Sequence, residues 1–312
     1  MLSPSPEGCG SLPAAGRDSP VVIGGVGGSG TRVVAEIVAS LGWHLGADLN
    51  HALDHLGFTL LFKHARWRTE QSAGRNRRAL ELLARSLRGR PRLRPGFLAL
   101  AARAAAGMVR GGHNHLGEGS GFWPLVRAGK LFVDGPSRRA ANQRCWGWKE
   151  PNSHIFLDQI AAAFPGVRYI HTIRHGVDMA FSENLQQLMT WGSFFDVAPP
   201  SSADETPRAL LTYWVRANRR AFAIGSALGS ERFLSLRFED LCRTPEAAVV
   251  RIAAFLGRDL EPGERARLAA IPNAPDSIGR HRHHDLGQFR REDLDAVSEL
   301  GFELEGGRSG GA

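Results

Sequence analysis

The chain has 312 residues, 43% of them hydrophobic, with three cysteines and a formal net charge of +8. That length and apolar content can bury a sizeable core, and the lack of a long uncharged apolar run argues against a membrane-spanning helix. Cys9, Cys145 and Cys242 are scattered without a C-x-x-C pair, so neither a disulfide framework nor a zinc site is indicated, and a cytoplasmic location is expected.

Residues 1–19 have no basic start and no apolar segment, so they read as a disordered leader rather than a signal peptide. Residues 20–305 are expected to form a single α/β domain, followed by a disordered tail at 306–312. The stretch VVIGGVGGSGTRVVAEIVASLG, from Val21 to Gly42, sets an apolar strand before a glycine loop that opens onto a helix. Gly25, Gly27, Gly28 and Gly30 leave backbone N–H groups unshielded, and the helix start adds orphan donors and a positive dipole end, which together suit a phosphate or sulfate. In the Walker A register, Thr31 and Arg32 stand where Lys and Ser/Thr belong. Gly25, Gly27 and Gly30 also fit G-x-G-x-x-G, but the second strand that should end in an acid is weak, with Asp48 the nearest candidate.

Val33, Val34, Ile37, Val38 and Leu41 recur at helical spacing, with Gly42 placed to stop the helix. An Arg-rich helical insertion is expected at about 60–135. Between Lys63 and Arg94 there are eleven Lys/Arg against two Glu, a local charge of +9 that leaves the rest of the chain near −1. Leu80, Leu83, Ala84 and Leu87 fit one amphipathic helix and Phe97 to Val109 a second, while His113 and His115 in a glycine-rich turn read as solvated, not metal-bound.

Alternation then resumes. RCWGWK reads as a buried strand ending at Lys149, VRYIHTIR as the clearest strand, and RFLSLRF (232–238) as another. Helices are expected after Pro151, near Val177 with Asp178 in the first turn, from Pro207 to Leu228, and over TPEAAVVRIAAF, where Thr244 caps, Pro245 starts and Gly257 stops. The pattern predicts an α/β fold with a mainly parallel central sheet and helices on both faces, its site in the loops at the C-terminal strand ends.

Four pieces resemble the sulfotransferase family, whose donor is 3′-phosphoadenosine 5′-phosphosulfate (PAPS), and the resemblance implies a P-loop NTPase-like sheet. GGSGTR is similar to the family's 5′-phosphosulfate loop, which implies Ser29, Gly30 and Thr31 as contacts. Gly28 stands where a basic residue is usual, and Arg32 is the candidate to supply that charge. IRHGVDMAFS resembles the 3′-phosphate site, implying Arg174 and Ser182. WGWKEP is similar to a Lys-acid-Pro element, implying that Lys149 approaches the oxygen bridging phosphate and sulfate. LSLRFEDLCRTPEAAVVRIAAFLG resembles the family's Y-E-D-L segment, with Phe238 at the tyrosine position and a role in fold and register. SIGRHRHHDLGQF resembles its mobile closing segment, implying Arg280. His281, His283 and His284 there read as part of a basic loop. The resemblance runs from Val21 to Gly257 plus that segment and does not extend over the insertion.

The resemblance places the acceptor's base shortly after the first helix, where ADLNHALDH offers Asp48, His51 and Asp54. His51 and Asp54, three apart, can share a helix face. The implied reaction is sulfuryl transfer from PAPS, without a metal, to a hydroxyl or amine of a small molecule or glycan. Peripheral membrane contact is left open and no nucleic-acid partner is expected. An ATP-dependent kinase, or another P-loop nucleotide enzyme, is the alternative that the missing Walker lysine weakens. A nucleic-acid-binding protein using the Arg-rich segment is the third, weakened because Trp67 is its sole aromatic between Lys63 and Arg94.

Overall fold

Four parallel strands in the order β2-β1-β3-β4 form the centre of the chain. The computed structural model describes residues 19–64, 72–89, 93–111, 121–133 and 145–304. The leader apart from Ser19, the His113–His115 turn and the tail from 306 onward lie outside these residues. The strands are β1 (Val21–Gly25), β2 (Gly147–Lys149), β3 (Arg168–Ile173) and β4 (Phe233–Arg237). The expected α/β architecture, a mainly parallel sheet with helices, is therefore present.

Every residue of β1 is buried, as a parallel strand covered on both faces requires. Its alternating side chains divide between two cores. Val22 joins one cluster with Trp148, Tyr169 and Trp214, while Val21 and Ile23 join a second with Val34, Ile37, Ile170 and Ile252. The second cluster lies under α1 (Thr31–Ser40). The first takes α2 (Leu56–Phe62), α3 (Ala73–Leu87), α4 (Pro95–Gly111) and α5 (Trp123–Val133), which make up the described part of the expected insertion. The chain continues through α6 (Leu157–Ala163), α7 (Gly176–Ala180), α8 (Gln186–Trp191) and α9 (Thr206–Leu228). It ends with α10 (Phe238–Arg243), α11 (Pro245–Phe255), α12 (Pro262–Ala269) and α13 (Arg291–Glu299).

The helix stops follow the glycines. At Gly42, φ is +99°, its N–H reaches Ala39 O at 3.0 Å and the N–H of Trp43 reaches Val38 O at 3.3 Å. Gly257 ends α11 in the same way, through Ala254 and Ala253. Thr244 differs from expectation: its hydroxyl donates back to Asp240 O at 3.0 Å instead of capping α11. Proline at the first position removes one orphan N–H there, so less capping is needed. Among the described residues, Cys242 is a half-buried free thiol.

Register sets the site. Ile23 pairs with Lys149, Gly25 with Thr172, and Ile173 with Arg237, so the C-terminal ends of all four strands come to one edge. β1 has β2 on one side and β3 on the other, so the chain reverses its direction across the sheet there. An open α/β sheet forms its ligand crevice at such a point.

Candidate active site

Residues 26–30 join β1 to α1, and two glycines make that turn feasible. Gly28 has φ +92°, a region that L side chains rarely adopt, so this backbone path accounts for the missing basic residue. Gly30 has φ +87°, and a Cβ there would fall 2.1 Å from Cδ2 of Phe238. Gly30 is also the N-cap of α1 and offers no side-chain acceptor. The Gly27 N–H donates to Gln187 Oε1 at 2.9 Å and the Ser29 N–H to Val26 O at 3.1 Å. Among the described residues, the N–H groups of Gly28, Gly30, Thr31 and Arg32 have no acceptor. Four unclaimed donors beside a helix start make an anion cradle. The Ser29 hydroxyl is buried away from it, hydrogen-bonded to Thr172 Oγ1 at 3.0 Å. Arg32 is exposed and lies 3.7 Å from Glu36 on the next turn.

Lys149 ends β2 beside this loop, with its side chain almost fully buried. Its Nζ donates to Asp54 Oδ1 at 2.5 Å and to Ala52 O at 2.8 Å. Both acceptors lie on a turn, not on a helix, so the expected shared face of His51 and Asp54 is not formed. Asn50 shapes that turn: its Oδ1 accepts from the N–H groups of Ala52 and Asp54, and its Nδ2 donates to Asp54 Oδ2. Leu53 is forced to φ +63°, an uncommon conformation for a branched residue, between the two groups that hold the lysine. His51 is exposed on the same turn. Asp48 stands apart, paired with Arg127 and, at 3.1 Å, with Lys130 on α5.

Behind the glycine loop, Arg174 leaves β3 with Nη1 3.4 Å from Gly28 O and Nη2 2.8 Å from Ser277 Oγ. Its guanidinium lies over the Phe238 ring at 5.3 Å, and its buried Nε has no partner. Burial lowers the Arg174 pKa, with the charges of Asp178 and Glu239 opposing. Ser182 Oγ accepts from the Asn184 N–H at 3.2 Å. Arg280 donates to Phe181 O at 3.0 Å and Ser277 O at 3.3 Å, which brings the C-terminal segment against α7.

Asp178 is the tie between them. It accepts from the Gly279 N–H at 2.7 Å, the His281 N–H at 3.0 Å and His281 Nδ1 at 2.6 Å. Burial alone would raise its pKa, but these hydrogen bonds outweigh burial and hold the carboxyl at about 2. His281 is therefore no member of a basic loop: it is buried and stacked on His175 at 4.1 Å. His284 stacks on Phe181 at 3.7 Å. His175, Asp178 and His281 also offer ligand atoms close enough together for a metal ion. The parallel ring stack, 5° between planes, is the arrangement of packed rings rather than of two ligands converging on an ion.

The glycine loop and Lys149 border one cleft of about 670 Å³, lined by Gly28, Gly30, Thr31, Arg32, His51 and Asp54 among others. Its far wall includes Trp123 and Arg127 of α5, and Lys63 and Glu150 form a buried ion pair at 2.9 Å in its floor. Several of these residues were not among the sequence candidates. Gln187, Lys63 and Arg127 reach the site only through long-range packing, so no local pattern marks them. Phe238 did carry a signal, as the aromatic position of the E-D-L segment, but its contact with Gly30 and Arg174 is visible only in three dimensions.

A profile described as the sulfotransferase family matches residues 20–262. No curated protein sequence matches the chain. The solved structures that match include the sulfotransferase domain of the Synechococcus PCC 7002 olefin synthase, with 18% identity, 92% of this chain and 95% of that one covered, and TM-score 0.49. A sulfotransferase from Mycobacterium avium matches at 16% identity, covering 97% of this chain and 81% of its own, with TM-score 0.48. The sulfotransferase domain of the curacin biosynthetic pathway gives 18%, 92%, 98% and 0.47. These likenesses are too distant to assign any residue a role.

Proposed function

Because this chain belongs to the sulfotransferase family, we propose that it transfers a sulfuryl group from PAPS to a hydroxyl or amine of an acceptor held in the cleft. One observation carries the reading: four unclaimed backbone N–H donors and the buried ammonium of Lys149 converge on the same cavity. The loop donors and the α1 dipole suit the phosphosulfate end of the donor. Arg174, with a buried donor lacking a partner, suits its 3′-phosphate as a planar fork, and Arg280 adds charge on that side. Ser182 contributes through the turn it closes with Asn184.

The donor supplies the sulfur–oxygen bond that breaks and the phosphate that leaves. A base takes the acceptor's proton as its oxygen or nitrogen attacks sulfur from the opposite side. Negative charge then grows on the bridging oxygen, and Lys149 offsets it. Asp54 is the positioning partner of Lys149, since its carboxylate already holds the ammonium. His51, exposed in the same cleft, takes the proton, because a ring nitrogen of its imidazole can accept one from the acceptor group.

Calorimetric titration with 3′-phosphoadenosine 5′-phosphate, with ATP as control, tests the donor assignment. Wild type should prefer the former, and Arg174→Ala should lose at least about tenfold in affinity. Lys149→Ala should keep product binding while its turnover falls about 100-fold or more. Equal binding of ATP would return the kinase reading, and full turnover by Lys149→Ala would remove that residue from the chemistry.

A further inference from the structure

Ten large apolar side chains are exposed among the described residues, and seven of them lie between Leu93 and Val133. They are not scattered. On α5 and its first flank, Phe122 is 81% exposed, Leu125 56%, Val126 50% and Val133 74%. The spacing i, i+3, i+4, i+11 puts them on one helical stripe. The opposite face of the same helix is also apolar, with Pro124 and Leu131 buried. Such a helix is satisfied only when both faces are covered. On the neighbouring α4, Leu98, Ala102 and Val109 form a second exposed stripe at i, i+4, i+11, with Arg103 and Arg110 exposed beside it.

Charge identifies the occupant. The described residues from 93 to 133 contain no acidic residue; Arg127 and Lys130 are paired with Asp48, and Arg94, Arg103 and Arg110 are exposed on α4 and its flank. A second copy of the chain meeting this face across a two-fold axis would set arginine against arginine, which is unfavourable. An anionic lipid surface offers an apolar phase for the stripes and negative headgroups for the arginines. The rim of α5 joins this face to the cleft, since Trp123 and Arg127 line the cavity while Phe122 and Val126 point away from it.

We propose that the outer faces of α4 and α5 dock the protein on an anionic bilayer. The cleft then lies beside the interface, so the acceptor it meets is a lipid-anchored molecule with its hydroxyl or amine at headgroup level. That corollary rests on the sulfuryl-transfer reading; the docking itself does not.

Vesicle co-sedimentation decides it, using the full chain with phosphatidylcholine vesicles containing or lacking about one-third phosphatidylglycerol. Wild type should bind the anionic vesicles at least about tenfold more tightly than the neutral ones, and added salt should weaken the binding. The triple variant Phe122→Ser, Leu125→Ser, Val126→Ser should lose about tenfold or more, and Arg110→Glu a smaller factor. Calorimetric binding of 3′-phosphoadenosine 5′-phosphate by the triple variant should stay at the wild-type value, which certifies its fold. Absence of vesicle binding by wild type would overturn the proposal. So would concentration-dependent dimerisation of wild type that the triple variant abolishes, since a second copy would then be the occupant. If the vesicles bind while the nucleotide does not, the donor assignment fails and the docking surface stands.

Discussion

Around Gly25 to Thr31 the backbone itself is the functional group: glycines hold positive φ, a phenyl ring fills the space a Cβ would need, and N–H donors are left without acceptors. Around Phe122 to Val133 the backbone is an ordinary helix and the side chains carry the message, apolar on two faces with cations between. The two regions meet at one cleft, which the glycine loop lines together with Trp123 and Arg127. The first tolerates almost no change because its geometry is fixed by close contact. The second tolerates exchange of one apolar residue for another, because burial is not directional. A cleft of this kind can keep one donor fixed while its acceptor wall changes.

Gly30→Val should give the largest effect and separates the two walls most sharply. The new side chain meets the Phe238 ring from a backbone angle that valine does not adopt. Binding of 3′-phosphoadenosine 5′-phosphate should fall about 100-fold or more, and the protein should lose about 2–3 kcal/mol of stability. Vesicle binding should be unchanged wherever the variant is folded. A variant that keeps nucleotide affinity would show that the loop adapts and that the contrast is wrong.

Lys63→Met tests whether the walls are independent, because Lys63 follows α2 on the insertion side and pairs with Glu150 directly after Lys149. Both side chains are buried, so removing the cation leaves a carboxylate with only the Asn152 donors. The expected cost is about 3 kcal/mol in urea unfolding. Nucleotide affinity should fall by less than about threefold, since Glu150 does not touch the glycine loop. A large loss of affinity at unchanged stability would mean that the insertion controls the donor site.

Legibility in the sequence divides along the same line. β1, the glycine loop and the two helix-stopping glycines were readable because each depends on residues within a few positions of one another. Lys149 and Arg174 were readable as strand-end cations. What the sequence could not carry were long-range pairings: Gln187 on Gly27, Asp54 on Lys149, Ser277 on Arg174, and Arg127 on Asp48. The expected helix over His51 and Asp54 failed for a local reason, since Asn50 captures two following N–H groups and offers the backbone a turn instead. Of the histidines in the C-terminal segment, His283 and His284 are exposed as alternation with arginine suggests, and only His281 was misread, because packing on α7 buries it.

Asp178 gives the smallest and most local effect, on the segment that closes the donor side. Its carboxyl sits at about 2 against an ordinary 3.8, held down by hydrogen bonds from His281 and Gly279 despite burial. A native value below the unfolded one stabilises fully above pH 3.8 and loses that contribution as pH falls through about 2. The segment 277–284 should therefore open to pepsin as pH is lowered from about 4 to about 2, ahead of global unfolding. Asp178→Asn keeps the size of the side chain but removes its charge and one acceptor oxygen. That variant should be cut in this segment at pH 4 as readily as wild type is near pH 2. The His281 imidazole then loses the carboxylate that anchors it, and nucleotide affinity at neutral pH should fall about three- to tenfold as Arg280 is freed from Phe181. Identical cleavage profiles for wild type and variant would show that the segment is held by Phe181, Phe289 and Phe302 packing alone, which would make the donor side, like the acceptor wall, a matter of apolar contact.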